Sequence, residues 1–509
     1  MRRTLLSLLF VAICFGASAQ LTKQQQIQKL NIVYQQIRDN YVDDISLEPL
    51  VDEAIRATLK ELDPHSQYLT KEEMEATKQR IRGSYRGFGF RYMIHNDTVV
   101  VRSVIPNSPA LRADIQCNDR IVMIDNKSIV GLDLDSIGEI MRSDTDRKTS
   151  LTIIRRGQNR MQNISLKRES IETNAISSYY RIGDVGYIAI SSFSKPVASE
   201  VIDAINTLGE VKSLIIDLRD NGGGALSSAI DLSSLFLQKG DIIVSTRSNE
   251  GVREYFKSND RITLTMPLVV IINENSASAS EIFAGAIQDH DRGVIVGRTS
   301  FGKGLVQRMI DLGDGSGLTL TVARYVTPSG RVIQRPYQMG KTDEYLQDSI
   351  RYIHPDSISH ENTPVYTTIN MGRCVYGGGG ITPDIYIPKE SPSISQVVID
   401  AYINAAFDHA VIDLWDVVAM NSLREQYPTV ESFDAGYMPD DKVMEILYRH
   451  VEFSPEMLTE DDCVAVKMLL KAIIAEYLYG TNARDFIYNM CYDTMLNRAV
   501  EIASREQLF

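Results

Sequence analysis

A chain of 509 residues, 44% of them hydrophobic, is too long for one ordinary core; at roughly 150 residues per domain it calls for three or four units. Its formal net charge of −13 opposes a nucleic-acid or anionic-membrane partner. Past residue 20 the cysteines Cys117, Cys374, Cys463 and Cys491 are scattered, with no CxxC or Cys/His clustering. That pattern indicates neither a zinc site nor a disulfide framework, and leaves a single Cys463–Cys491 bridge open beside buried free thiols.

Residues 1–19 read as a signal peptide: Arg2 and Arg3, an apolar run from Leu5 to Phe15 that includes Cys14, then Ala17, Ser18 and Ala19 before Gln20. The run is shorter than the ~20 residues of a membrane span, so cleavage after Ala19 and export to the periplasm or cell envelope are expected, without stable membrane insertion. Residues 20–85 are expected to be a helical domain. Leu30, Val33, Tyr34 and Ile37 recur at helical spacing, a second run spans Leu50 to Leu62, and Asp63-Pro64-His65-Ser66 breaks the pattern. A packing or dimerisation role without chemistry is expected there, so a homo-oligomer is open.

Residues 86–170 change to short strands, Thr98 to Ile105, Arg120 to Asp125, Ser150 to Arg155 and Gln162 to Lys167, with one helix near Leu134 to Arg142. The unit opens on Gly87-Phe88-Gly89-Phe90 and contains Pro106-Asn107-Ser108-Pro109-Ala110 and Asn118-Asp119-Arg120-Ile121. These segments resemble a PDZ domain. The resemblance implies that backbone N–H groups of residues 87–90 receive a peptide's terminal carboxylate while the peptide adds a strand to the sheet edge. Asp114 and Asn118 stand where such domains usually carry glycine.

Residues 171–393 alternate strands and helices: strands at Val185 to Ile190, Ser213 to Leu218, Leu268 to Asn273, Gly293 to Gly297 and Leu318 to Val326, and helices near Val197 to Leu208 and Ala225 to Leu237. An irregular insertion, 336–380, is expected to lack chemistry. Residues 394–509 read as a helical C-terminal domain. The fold class expected is multidomain α+β, a PDZ-like β domain and an α/β core between helical ends.

The chemistry concentrates in three segments. Asn275-Ser276-Ala277-Ser278-Ala279-Ser280-Glu281 follows an apolar strand and opens a helix, where unpaired N–H groups can steady an oxyanion beside an attacking hydroxyl. Alone, Ser278 and Glu281 have the spacing of a capping box. Asp217 to Gly224 ends in three glycines that could donate to an oxyanion, cradle a phosphate or turn the chain; Ala225-Leu226 follows where a phosphate loop wants GK[ST]. Ser300-Phe301-Gly302-Lys303-Gly304 presents a lysine between glycines, able to accept a proton only if burial lowers its pKa.

Asp289 lies 11 residues after Ser278, Lys303 lies 25 after it, and Gln307 follows Lys303 by four. With Leu62-Asp63-Pro64-His65-Ser66, Gly186-Tyr187-Ile188 and Ala323 to Gly330, these segments resemble the C-terminal processing (tail-specific) proteases of serine peptidase family S41, across residues 25–385. The resemblance implies a crotonase-like core, Ser278 as nucleophile, Lys303 as general base, and Gln307 as a contact to its amine. It also implies an oxyanion hole from N–H groups of Ala279 and Gly222 or Gly223, and substrates that are proteins or peptides with exposed C-terminal tails. No cofactor or metal is implied.

Helix geometry limits Asp289. Three turns put it on the face of Ser278 but ~16 Å away, and an acid at a helix C-terminus wants a compensating partner; a supporting, structural role follows. His290 is as distant, and His65, His95, His354, His360, His409 and His450 could approach only through tertiary folding. Two other classes remain as alternatives, a PDZ scaffold without catalysis and a crotonase-like acyl-CoA enzyme; the Ser278, Lys303 and Gln307 set disfavours both.

Overall fold

The computed structural model describes residues 22–142, 147–158, 160–251, 253–259, 263–346, 363–389, 394–417 and 420–505. The signal segment with Cys14 and its cleavage point, His354 and His360 lie outside them, as does the side chain of Cys491. Cys463 is a free thiol, which removes the Cys463–Cys491 pairing.

The α/β core is a six-stranded sheet in the order Ile176–Ile182, Val185–Ile190, Ser213–Asp217, Leu268–Ile272, Val294–Gly297, Ile385–Tyr386. All neighbours are parallel except the first pair. Its middle strands read LVVII and SLIID and are buried throughout, as strands covered on both faces must be. One face is covered by the helices Val197–Leu208, Leu226–Ser233 and Ala279–Asp289, through Val201, Leu232 and Phe283 among others. The other face receives Met495, Leu496, Ala499 and Ile502 from the helix Thr494–Ala503 against Tyr187, Ile215, Val269 and Val296. Packing therefore crosses the division expected at residue 394; residues such as Val398, Phe407, Leu447 and Leu470 form a separate helical core.

A second sheet joins Gln67–Leu69, Gly317–Val326, Ile242–Arg247 and Arg253–Lys257, with Leu305–Asp311 also paired to Gly317–Val326. Gln67 lies opposite Thr319, so the chain just after the Asp63–Ser66 break is sewn into the same sheet that follows Lys303. The preceding helix Lys23–Asn40 buries no residue, and Ile27, Leu30 and Val33 face solvent.

The β module is an antiparallel sheet ordered Phe90–His95, Thr98–Val104, Arg120–Ile124, Thr149–Ile154, Gln162–Leu166, with Leu134–Arg142 packed beside it through Ile137 and Met141. Asp114 and Asn118 take φ of 57° and 68°, left-handed conformations that Asp and Asn reach at small cost through local hydrogen bonds, which is how these turns form without glycine.

Candidate active site

Three loops from the core sheet converge where the helix Ala279–Asp289 begins. The strand Leu268–Ile272 delivers residues 273–278, Ser213–Asp217 delivers the glycine loop, and Val294–Gly297 delivers residues 298–304. The alternate serines divide the work. Ser276 Oγ donates to Leu218 O at 2.7 Å and accepts from Asn273 N–H at 2.9 Å; Ser280 Oγ donates to Asn221 O at 2.8 Å. Both are fully buried ties to the glycine loop, whereas Ser278 is half-buried, with φ 58° and ψ −112°. A non-glycine residue at such a φ is strained, and strain of this kind persists where surrounding contacts over-determine it.

Glu281 provides most of those contacts. Its carboxylate, 0% exposed, accepts from Ser278 N–H and Lys303 N–H on one oxygen, both at 2.8 Å, and from Ser300 Oγ at 2.6 Å and Gly302 N–H at 2.7 Å on the other. The reach-back to Ser278 is the half of a capping box that the S-x-x-E spacing predicts; the bonds to residues 300–303 could not be read from spacing. Burial raises the Glu281 pKa above the usual carboxylate value, opposed by these donors. Burial likewise lowers the Lys303 amine, while the charges of Glu281 and Asp63 resist the change.

Lys303 Nζ donates to Gln307 Oε1 at 2.9 Å, and Gln307 Nε2 donates to the carbonyl of His65. The Asp63–Ser66 turn thus reaches the Lys303–Gln307 pair, although residues 20–85 are expected from their sequence only to pack or dimerise. His65 itself is neutral at ordinary pH: burial first, then the Lys303 charge, pushes its imidazole down to about 4, and its Nε2 meets Tyr345 Oη at 3.1 Å. Tyr345 comes from the insertion 336–380 and lies edge-on to Phe301, with the Arg335 guanidinium over both rings, so the insertion packs against the site.

The glycine loop closes on Ser278 from the other side. A Cβ at Gly223, whose φ is 98°, would stand 2.9 Å from Ser278 Cβ and 2.7 Å from Ala277 O, and one at Gly224 would meet Phe193 O at 2.3 Å. Only glycine permits this approach. Gly223 N–H is already engaged by Asn221 Oδ1 at 2.8 Å, which leaves Ala279 and Gly222 of the three expected oxyanion donors.

Asp289 is remote from this chemistry. It forms an ion pair with Arg331 at 2.6 Å, both groups 0% exposed, and accepts from Ser329 N–H at 2.9 Å; Arg331 is the compensating partner its place at the helix end demands. His290 caps the same helix with Nε2 2.8 Å from Ile242 O. In the β module Phe88 and Phe90 are buried and stacked, with the Arg168 guanidinium over Phe88, and Gly87 pairs with Glu169. Of the remaining histidines, His95 and His409 bring their Nδ1 atoms within 2.8 Å, while Asp413 meets His95 at 2.9 Å and His450 at 2.7 Å. Among the described residues no group of His, Cys, Asp and Glu is arranged to hold a metal, and no helix is long and apolar enough to cross a membrane.

A strained serine at a helix start, a half-buried lysine and a small β module on an α/β core fit a serine-type peptidase. The model of peptidase family S41 matches residues 184–342, that of the PDZ domain residues 100–155, and that of the N-terminal domain of the activating protease CtpB residues 14–73. A carboxy-terminal-processing protease of Bartonella bacilliformis is 36% identical over 338 residues, covering 64% of this chain and 77% of its own. Carboxy-terminal processing protease CtpA of Bacillus subtilis is 33% identical over 323 residues, 63% of this chain and 69% of its own. A solved photosystem II D1 C-terminal processing protease aligns over 70% of this chain and 86% of its own, at 24% identity and a TM-score of 0.36. The chain belongs to the C-terminal processing proteases of peptidase family S41.

Proposed function

We propose that the protein is an exported serine endopeptidase that cleaves proteins at or near their C-termini with a Ser278/Lys303 dyad. The observation that supports this most is the single Glu281 oxygen shared by the backbone N–H groups of Ser278 and Lys303, which locks nucleophile and base to one another. Ser278 Oγ adds to the scissile carbonyl carbon as its proton passes to neutral Lys303 Nζ. The oxyanion is met by N–H groups of Ala279 and Gly222. The C–N bond then breaks as Lys303 returns the proton to the leaving amine, and a water, deprotonated in turn by Lys303, releases the acid and regenerates Ser278. Gln307 holds the lysine.

Substrate tails are taken by the PDZ unit, residues 86–170. Phe90–His95 is an edge strand of its sheet, which supports strand addition there, with residues 87–90 as the segment that would receive a terminal carboxylate. The segment 1–19 directs export to the periplasm or envelope, and the uncovered helix 23–40 is available for self-association.

Purified Ser278→Ala and Lys303→Ala variants, monitored by mass spectrometry on a protein with an apolar C-terminal tail, are expected to lose turnover by on the order of 10³-fold or more while keeping the wild-type melting profile. Undiminished cleavage by either variant would overturn the dyad.

A further inference from the structure

Gln307 presents two different atoms to its neighbours, and which one faces Lys303 matters. A lysine that accepts a proton from Ser278 must keep its lone pair toward Ser278 and give its N–H bonds to acceptors elsewhere. Only the Oε1 end of an amide can accept. The opposite end must then find an acceptor of its own, and it does: Gln307 Nε2 donates to the carbonyl of His65. A carbonyl never donates, so the reversed amide would set Oε1 against the His65 oxygen and an NH2 group against the lysine. The His65 carbonyl therefore fixes the amide, and the amide fixes the amine.

The His65 carbonyl is aimed by Asp63. Its carboxylate, 6% exposed, accepts from His65 N–H and Ser66 N–H at 2.9 Å each, from Ser66 Oγ at 2.6 Å and from Thr321 Oγ1 at 3.1 Å. Thr321 N–H donates to Ser66 Oγ at 3.1 Å, and Thr321 is the residue paired with Gln307 across the strands 305–311 and 317–326. The turn is pinned to the strand pair that carries the glutamine.

We infer that Asp63 is a positioning residue of the peptidase, acting through the His65 carbonyl and the Gln307 amide to orient the Lys303 amine. Asp63 lies outside the matched S41 segment 184–342, and the inference rests on the dyad reading. Charged groups facing Lys303 are Glu281 from the helix, Asp63 from the turn and Arg80 from the helix Lys71–Arg82, with His65 adjacent. Both carboxylates favour the ammonium, so losing the charge of Asp63 moves the acid limb of the pH–rate profile to lower pH, whereas simple loss of folded enzyme lowers the profile without moving it.

The test uses the full-length enzyme and an internally quenched peptide with an apolar C-terminus. Asp63→Ala is expected to lower plateau kcat about 10- to 100-fold with KM within about twofold, and to displace the acid limb downward. Asp63→Asn retains an acceptor for His65 N–H, so its plateau should stay within about threefold of wild type with the same displacement. In a Gln307→Ala background, Asp63→Ala should lower the plateau no further. Wild-type plateau and limb in both Asp63 variants, or a loss with no displacement, overturns the inference; if Asp63→Ala fails to fold, the limb of Asp63→Asn decides. Full activity of Lys303→Ala would instead sink the dyad itself, so the two failures are distinguishable.

Discussion

Ser276, Ser278 and Ser280 occupy alternate positions, yet only the middle hydroxyl is free of the ties that hold the other two to Leu218 and Asn221. The strand-to-helix setting was legible in the sequence, and so was the lysine 25 residues on. Glu281 was legible only as a cap, because its other partners arrive from residues 300–303 through tertiary folding. Gly223 shows how narrow the tolerance is. Gly223→Ala places a methyl against Ser278 Cβ at a φ of 98°, a strain of about 1–3 kcal/mol; kcat is expected to fall about 100-fold, with a melting temperature lowered by a few degrees. An unchanged kcat would show that the loop does not set the serine. At Asp289 the effect is on stability. Asp289→Ala leaves Arg331 charged and unpaired at 0% exposure, which costs about 3–5 kcal/mol in urea unfolding, whereas Asp289→Asn is expected to keep the chemical step.

At the scale of elements, the fully buried parallel strands were read from their apolar runs almost to the residue. The second sheet was read only at Leu318 to Val326; the pattern LVQRMID of Leu305–Asp311 mixes buried, half-buried and exposed positions and gives neither a strict alternation nor an apolar run. Its pairing also shifts register between Val306 and Gln307, an irregularity that no local pattern announces. The short strand Gln67–Leu69 was invisible for a simpler reason: three residues carry no period. The helix Lys71–Arg82 backs this sheet through Met74, 1% exposed. Met74→Ala should cost about 2–5 kcal/mol in chemical denaturation and loosen the pairing of Gln67–Leu69 with residues 317–319, which anchors the Asp63–Ser66 turn, so that activity falls in urea concentrations that leave wild type unaffected. Coincident loss of activity and fold in both proteins would contradict that coupling.

The whole molecule is held together partly by polar seams that no local pattern announces. The β module meets the C-terminal helices through Arg102 with Asp408 and Glu476, Arg120 with Asp416, and the cluster of His95, His409, Asp413 and His450. Burial, then the proximity of His95 and His450, lowers the His409 pKa, opposed by Asp413. A folded-state value below the ordinary ~6.5 means that the unfolded chain binds more protons just beneath that pH. The seam is therefore fully effective above ~6.5 and weakens as the pH falls toward the folded value. Melting temperature at fixed salt should drop by a few degrees between pH 7.5 and 5.5, and His409→Gln should flatten that dependence; equal slopes would exclude a contribution from this histidine.

The place of the helix Thr494–Ala503 in the chain has a consequence for the order of folding. A chain grows from its N-terminus, so the serine, the lysine and every strand of the core sheet are made before the residues that cover the sheet's second face. Until Met495, Leu496 and Ile502 dock, that face presents Tyr187, Ile215 and Val269 to water, and Arg219, three residues before Gly222, lacks its 2.5 Å bond to Asp493. Biosynthesis thus supplies Ser278 and Lys303 before the helix that completes the scaffold around them.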